Sequence, residues 1–206
     1  MIILLIGPPG SGKGTQARLL AEKLSLHHLS TGKLFRSIKN DPEVAEILKK
    51  GDLLPDSLVF EKIKEYFNDK NITDDIIIDG TPRSLKQYQN LKNYFKDLGS
   101  NISHAIAIMI SDEEAVKRLS ARREDKNTGV IYNLITNPPG PLVKKEDLVQ
   151  RADDLPESIS ERLKVQKVPE DLINALKEDK ILMLVNGEQS IEGVHQEILN
   201  NLKNDQ

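Results

Sequence analysis

The sequence predicts an α/β fold, a three-layer sandwich built on a central parallel five-stranded sheet. Short apolar runs recur at residues 2–6, 28–29, 76–78, 105–110 and 181–185. Their hydrophobicity is continuous rather than alternating, which suits strands covered on both faces. Longer amphipathic stretches separate most of them, in the βαβα rhythm of a parallel sheet.

Taken in order, residues 2–6 form the first strand and residues 15–24 the first helix, with Ala17, Leu20, Ala21 and Leu24 along one side. The second strand is the weakest and carries two adjacent histidines, His27 and His28. In a short strand these face opposite ways, so they do not make a metal pair. Residues 41–71 read as helical throughout, with Asp41-Pro42 and Leu54-Pro55-Asp56 as helix starts. After the strands at 76–78 and 105–110, Ser111 and Glu114 suggest a capping box. Residues 124–146 turn loop-like, through Asn127-Thr128-Gly129 and Asn137-Pro138-Pro139-Gly140-Pro141. An insertion of that length in a compact domain reads as an active-site lid. The last helix begins near Ser190.

Composition narrows the class. The 206 residues fit one domain, are 38% hydrophobic and 30% charged, and contain no Trp and no Cys. The missing cysteines exclude disulfides, thiolate catalysis and cysteine-ligated zinc, so no structural zinc is expected. A net charge of -3 argues against a general nucleic-acid partner. No apolar run approaches the roughly 20 residues that span a bilayer, so no membrane association is expected and the location reads as cytoplasmic.

Chemistry enters at Gly7-Pro8-Pro9-Gly10-Ser11-Gly12-Lys13, a G-x-x-x-x-G-K phosphate loop between a predicted strand and a predicted helix. Glycine permits positive φ, so successive N–H groups can converge on phosphate oxygens. The following helix aims its positive end at the same point. The next position is Gly14 rather than Ser or Thr, and the hydroxyl comes from Thr15. The loop implies triphosphate binding; no Asn-Lys-x-Asp occurs, which disfavours a GTPase.

Downstream blocks narrow this further. They are Ser30-Thr31-Gly32 with Arg36; Asp79-Gly80-Thr81-Pro82-Arg83 with Gln87; Arg118 and Arg122-Arg123; Tyr132 and Asn137-Pro138-Pro139; and Arg151-Ala152-Asp153-Asp154 with Arg162. In this order they resemble the adenylate kinase family of nucleoside monophosphate kinases, long-lid type. The resemblance implies a single P-loop domain over 1–206, with a helical NMP-binding insertion at about 30–72 and a lid insertion at about 122–152. It also implies a phosphotransferase that converts ATP and AMP reversibly to two ADP with Mg2+, maintaining the adenine nucleotide pool as a cytoplasmic monomer.

Roles follow residue by residue from the resemblance. Gly10, Ser11, Gly12, Lys13, Gly14 and Thr15 would hold ATP phosphates, with Arg118 against its base and Arg122 at its transferring group. Thr31, Gly32, Arg36, Leu54, Gly80, Arg83, Gln87, Arg151 and Arg162 would bind AMP. Lys13, Arg83, Arg122, Arg151 and Arg162 would be catalytic, because arginine stays charged and grips two phosphate oxygens at once. Asp79 would hold magnesium through water, and Asp153 and Asp154 would position arginines or hinge the lid.

Three departures bear on this. Lys33 stands where the family has Asp, which would reverse a charge near the phosphates. Thr81 stands where it has Phe, removing an aromatic wall from the monophosphate pocket. Val130 replaces an arginine expected after Gly129, and no polar network in the lid is evident. The first two leave open a different monophosphate acceptor; a catalytically weak nucleotide-binding or scaffold protein is a separate alternative, against which the retained Lys13 and transfer arginines argue.

Overall fold

The computed structural model describes residues 1–38, 42–50 and 52–204. Strand β1 (Ile2–Ile6) runs into the glycine loop, then into helix α1 (Lys13–Leu24) and strand β2 (His27–Ser30). Three helices follow, α2 (Thr31–Ser37), α3 (Pro42–Lys50) and α4 (Asp56–Lys70). Next come β3 (Ile76–Asp79), α5 (Leu85–Asp97), β4 (Ile102–Met109) and α6 (Asp112–Ser120). Three short strands, β5 (Arg122–Asp125), β6 (Ile131–Asn133) and β7 (Leu148–Val149), precede α7 (Pro156–Val165) and α8 (Glu170–Glu178). The chain closes with β8 (Leu182–Asn186) and α9 (Ile191–Asn204). Among the described residues no helix is long and apolar enough to cross a membrane.

The five apolar runs form one parallel sheet in the order β2-β3-β1-β4-β8. In the inner strands β1, β3 and β4 the unbroken hydrophobicity has the expected cause, because successive side chains enter two cores; edge strand β8 instead alternates, with Leu184 exposed. Ile2, Leu4 and Ile6 join Ile76 and Ile78 against Tyr88, Leu91 and Phe95 of α5 and Leu172 and Leu176 of α8. Ile3 and Leu5 join Ile77 and Ile106 against Ala17 and Leu20 of α1 and Val194, Ile198 and Leu202 of α9. Helix, sheet, helix is thus the three-layer order. β4 starts at Ile102, earlier than the apolar run, and its pairing with β1 shifts register between Ile2 and Ile3. The Ser103 hydroxyl accepts from the Ile2 N–H at 3.1 Å and donates to the Ile2 carbonyl at 2.7 Å, satisfying both groups at the irregularity.

β1 is the switch point of the sheet: the chain leaves it for β2 and β3 on one side and reaches β4 on the other. Ligands of open α/β sheets bind beyond the carboxyl ends of the strands at such a point. Gly7 fixes the loop there. Its φ is +145°, and a Cβ on it would fall 2.2 Å from the Ile108 carbonyl oxygen of β4. No side chain fits, so the loop lies directly on the neighbouring strand.

Two expectations are corrected. Ser111 caps α6 by accepting from the Glu114 N–H, but the reciprocal half of the box is absent. The Ser111 N–H donates instead to Glu188 Oε1 at 2.9 Å, and the Glu114 carboxylate accepts from Arg118 Nε at 2.7 Å. The segment read as loop-like is mostly turn and coil, but residues 124–125 and 131–133 within it belong to a small antiparallel sheet, β6-β5-β7. It does hold a polar network, built on Asp125 rather than on an arginine after Gly129. Buried Asp125 accepts from the N–H groups of Asn127 and Thr128 at 2.8 and 3.0 Å, and Lys126 pairs with Asp147 at 3.1 Å. The expected helix start at Asp41-Pro42 is met by α3 beginning at Pro42; Asp41 lies outside the described residues.

Candidate active site

The donor half is the loop at the end of β1. Gly10 and Gly12 take φ of +83° and +93°, and Gly12 caps α1, whose first residue is Lys13. The Lys13 ammonium is buried and donates to the Gly7 and Pro8 carbonyls at 2.8 and 2.7 Å and to Ser11 Oγ at 3.3 Å. Asp79, at the end of β3, pairs in register with Leu5 of β1, which brings its carboxylate to the same edge. A Cβ on Gly14 would lie 3.3 Å from Asp79 Oδ2, so the glycine at that position keeps space open beside the carboxylate.

Burial alone would raise the Asp79 carboxyl, but nearby His28, Lys13 and Arg83 outweigh it, and its pKa is lowered. His28 Nε2 stands 3.8 Å from Asp79 Oδ2, beyond hydrogen-bond reach. His27 turns away to the Tyr66 hydroxyl at 2.7 Å, so the two histidines do diverge.

Beside the loop lies a cavity of about 500 Å³, inside the usual range for a small-molecule site. Its wall holds all of Thr31, Gly32, Arg36, Leu54, Gly80, Arg83, Gln87, Arg151 and Arg162. Thr31 Oγ1 donates to the Asp79 carbonyl at 2.9 Å and receives the Thr81 hydroxyl at 3.2 Å. A Cβ on Gly80 would meet Thr31 Oγ1 at 2.9 Å, so a larger residue would push that hydroxyl aside. Gln87 is braced at both ends of its amide. Its Oε1 accepts from the Arg83 N–H at 2.7 Å and its Nε2 donates to Asp56 at 2.8 Å.

Arginines from separate segments close the site. Arg83 Nε donates to the Gly80 carbonyl at 2.9 Å. Arg122, the first residue of β5, makes a bidentate pair with Asp154, both contacts at 2.7 Å. Arg162 of α7 reaches Asp154 at 3.1 Å and Asp153 at 2.7 Å. Arg151 pairs with Glu124 at 2.6 Å. Burial lowers the Arg162 guanidinium to about 10, Arg122 and Arg83 adding to the effect and Asp153 opposing it, so it stays charged at neutral pH. Burial also lowers Arg83, against the pull of Asp79. Such crowded cations favour a polyanion between them.

A profile of the adenylate kinase family matches residues 5–181. The chain is 39% identical to an adenylate kinase of Thermosipho melanesiensis, covering 97% of this chain and 98% of the relative. It is 37% identical to adenylate kinases of Thermosipho africanus (97% of this chain, 98% of the relative) and Archaeoglobus fulgidus (96% of each). The chain belongs to the adenylate kinase family. It is a phosphotransferase of the nucleoside monophosphate kinase class.

Within that family frame the loop residues 10–15 sit together at the start of α1. Arg118 lies apart from the cavity wall, held by Glu114 on α6. Lys33 is exposed on α2 and is not among the residues that line the cavity. Thr81 does line it, and Phe35 is the aromatic ring among the lining residues. The missing wall at 81 therefore has a counterpart on α2. Sequence reasoning missed Phe35, Asp56, Glu124 and Gln166. Phe35 and Gln166 had one local signal, as neighbours of Arg36 and, at i,i+4, of Arg162.

Burial, then Arg83, with Arg162 and Arg122 adding to them and Asp79 opposing, lowers the Lys13 ammonium to about 7. A bound triphosphate favours the charged form and raises it again. Binding of a non-hydrolysable ATP analogue therefore takes up a proton above neutrality, and affinity falls as pH rises through about 7 toward 9. Calorimetry near pH 8 in two buffers of different ionisation enthalpy should show uptake approaching one proton. Lys13→Met should abolish it, and buffer-independent heats with wild type would contradict the assignment.

Proposed function

We propose that this family member transfers the γ-phosphoryl group of ATP reversibly to AMP, forming two ADP. The observation that carries the reading is the wall of the 500 Å³ cavity, which gathers the whole acceptor set beside the phosphate loop. An oxygen of the AMP phosphate attacks the γ-phosphorus, and the bond to the β-phosphate oxygen breaks. The acceptor phosphate is already ionised near neutral pH, so no general base is required. Alignment and charge neutralisation carry the reaction.

In this reading the loop 10–15 cradles the ATP phosphates, with Lys13 at the β- and γ-groups and Arg118 against the base. Arg36 and Arg83 hold the AMP phosphate, and Arg122, Arg151 and Arg162 grip the transferring group. Thr31, Gly32, Leu54, Gly80 and Gln87 shape the acceptor pocket. The helices α2–α4 act as the monophosphate-binding insertion and the β6-β5-β7 sheet as the lid, whose closure excludes water.

Magnesium would neutralise phosphate charge in transfer. Magnesium keeps several waters and uses one or two carboxylates with substrate phosphates, which suits the buried, low-pKa Asp79 beside Gly14. A monomer in the cytoplasm, where ATP and AMP are at hand, completes the reading.

Phe35 offers a ring where Thr81 does not, and this supports a nucleobase in the acceptor pocket. Purified protein given Mg2+ and ATP with AMP, GMP, CMP or UMP should prefer AMP by about tenfold or more in kcat/KM. Preference for another monophosphate would replace this reading with the changed-acceptor one. Tight ATP binding with no turnover on any acceptor would replace it with a binding protein.

A further inference from the structure

Gln166 caps the C-terminus of α7, four residues after Arg162, and is 9% exposed. Its Oε1 accepts from Arg83 Nη1 at 3.0 Å and from Arg162 Nε at 3.4 Å. Both partners are donors only, so the atom facing them is the amide oxygen. One neutral oxygen therefore ties together two guanidiniums 79 residues apart in the chain: Arg83 follows β3, and Arg162 lies on α7. The other edge of each arginine is held elsewhere, Arg83 Nε by the Gly80 carbonyl and Arg162 Nη1 by Asp153 and Asp154.

We propose that Gln166 is a positioning residue for phosphoryl transfer, setting the spacing of the Arg83 and Arg162 guanidiniums without neutralising them. The inference rests on the reading that these two arginines hold the acceptor phosphate and the transferring group. A neutral acceptor matters because Lys13, Arg83, Arg122 and Arg162 form one mutually repelling cationic cluster. A carboxylate could orient the same two groups, but it would offset charge that the substrate phosphates use. The amide oxygen orients them and adds no negative charge to that already supplied by Asp153 and Asp154.

The test compares Gln166→Leu, Gln166→Glu, Arg83→Ala and Arg162→Ala in the full chain, reading kcat, both KM values and thermal melting. Gln166→Leu should lower kcat about tenfold and leave the KM for ATP within about twofold. Gln166→Glu keeps an acceptor for both hydrogen bonds, so kcat should recover to within about threefold of wild type. Its KM for AMP should instead rise several-fold at low salt, an increase that added salt diminishes. In an Arg83→Ala background, Gln166→Leu should cost markedly less in kcat than it does alone, because the shared partner is gone. The proposal is overturned if both Gln166 variants stay within about twofold of wild type while the arginine variants are impaired. A lowered melting temperature with unchanged kinetics also overturns it, assigning Gln166 a purely structural role. Unimpaired Arg83→Ala and Arg162→Ala would overturn the phosphate assignment itself, and this inference with it. Should Gln166→Leu fail to fold, the kcat-against-KM split in Gln166→Glu decides.

Discussion

Replacing Lys13 with Met should lower ADP formation by on the order of 10²–10³-fold, the effect of removing one preorganised charge-stabilising donor. The same change should leave the melting temperature unchanged or raise it. The ammonium is buried beside Arg83, Arg162 and Arg122, and its pKa of about 7 shows that the fold disfavours the charged form. Removing it relieves that penalty, against the loss of its hydrogen bonds to Gly7, Pro8 and Ser11, about 1 kcal/mol each. The sign of the pH dependence follows. Below about 7 the lysine is protonated folded and unfolded, and the wild type carries the full penalty. Between about 7 and its ordinary value of 10.5 only the unfolded chain holds the proton, and the penalty fades. The advantage of Lys13→Met in melting temperature should therefore be largest below neutrality and diminish as pH rises. Paired activity assays and thermal melts check both halves; a variant that is inactive because it is unfolded would contradict the account.

The second large effect falls on stability. Asp154 is fully buried and accepts both contacts of the Arg122 pair as well as one from Arg162. Asp154→Ala leaves Arg122 without that partner and Arg162 with Asp153 as its carboxylate partner. Breaking a buried ion pair from one side costs about 3–5 kcal/mol, and Asp153 keeps this case near the lower end. For a chain of this size that is a fall of roughly 6–12 °C in melting temperature. Asp154→Asn retains the shape but not the charge, and should fall between the two. A melt of Asp154→Ala within about 2 °C of wild type would show that water replaces the carboxylate.

These two positions mark what could be read from the chain alone. Lys13 was legible because its whole environment is local: a strand, a glycine-rich turn and a helix start within a dozen residues. The central sheet was legible for a related reason, since strands buried on both faces must be continuously apolar. The β6-β5-β7 sheet was not, because Arg122, Arg123 and Glu124 in β5 are only partly buried and carry no alternating pattern. Its network on Asp125 uses backbone N–H groups, which leave no side-chain signature. Asp154 was noticed as a positioning residue, but its bidentate grip on Arg122 spans 32 residues, and no spacing rule encodes that. Gln166 and Phe35 look like ordinary helix residues until the fold brings α7 to Arg83 and α2 to the cavity. On α2, Thr31 and Phe35 are buried while Lys33 is exposed, an arrangement set by the helical turn rather than by residue type.

The central claim is that donor and acceptor occupy separate halves of one site, divided between the glycine loop and the cavity beside it. Calorimetric titration of AMP and of a non-hydrolysable ATP analogue into wild type and Arg83→Ala tests this most directly. The account predicts that Arg83→Ala weakens AMP by about tenfold or more, the loss of a charge-assisted contact, and leaves the ATP analogue within about twofold. Equal weakening of both ligands would contradict it.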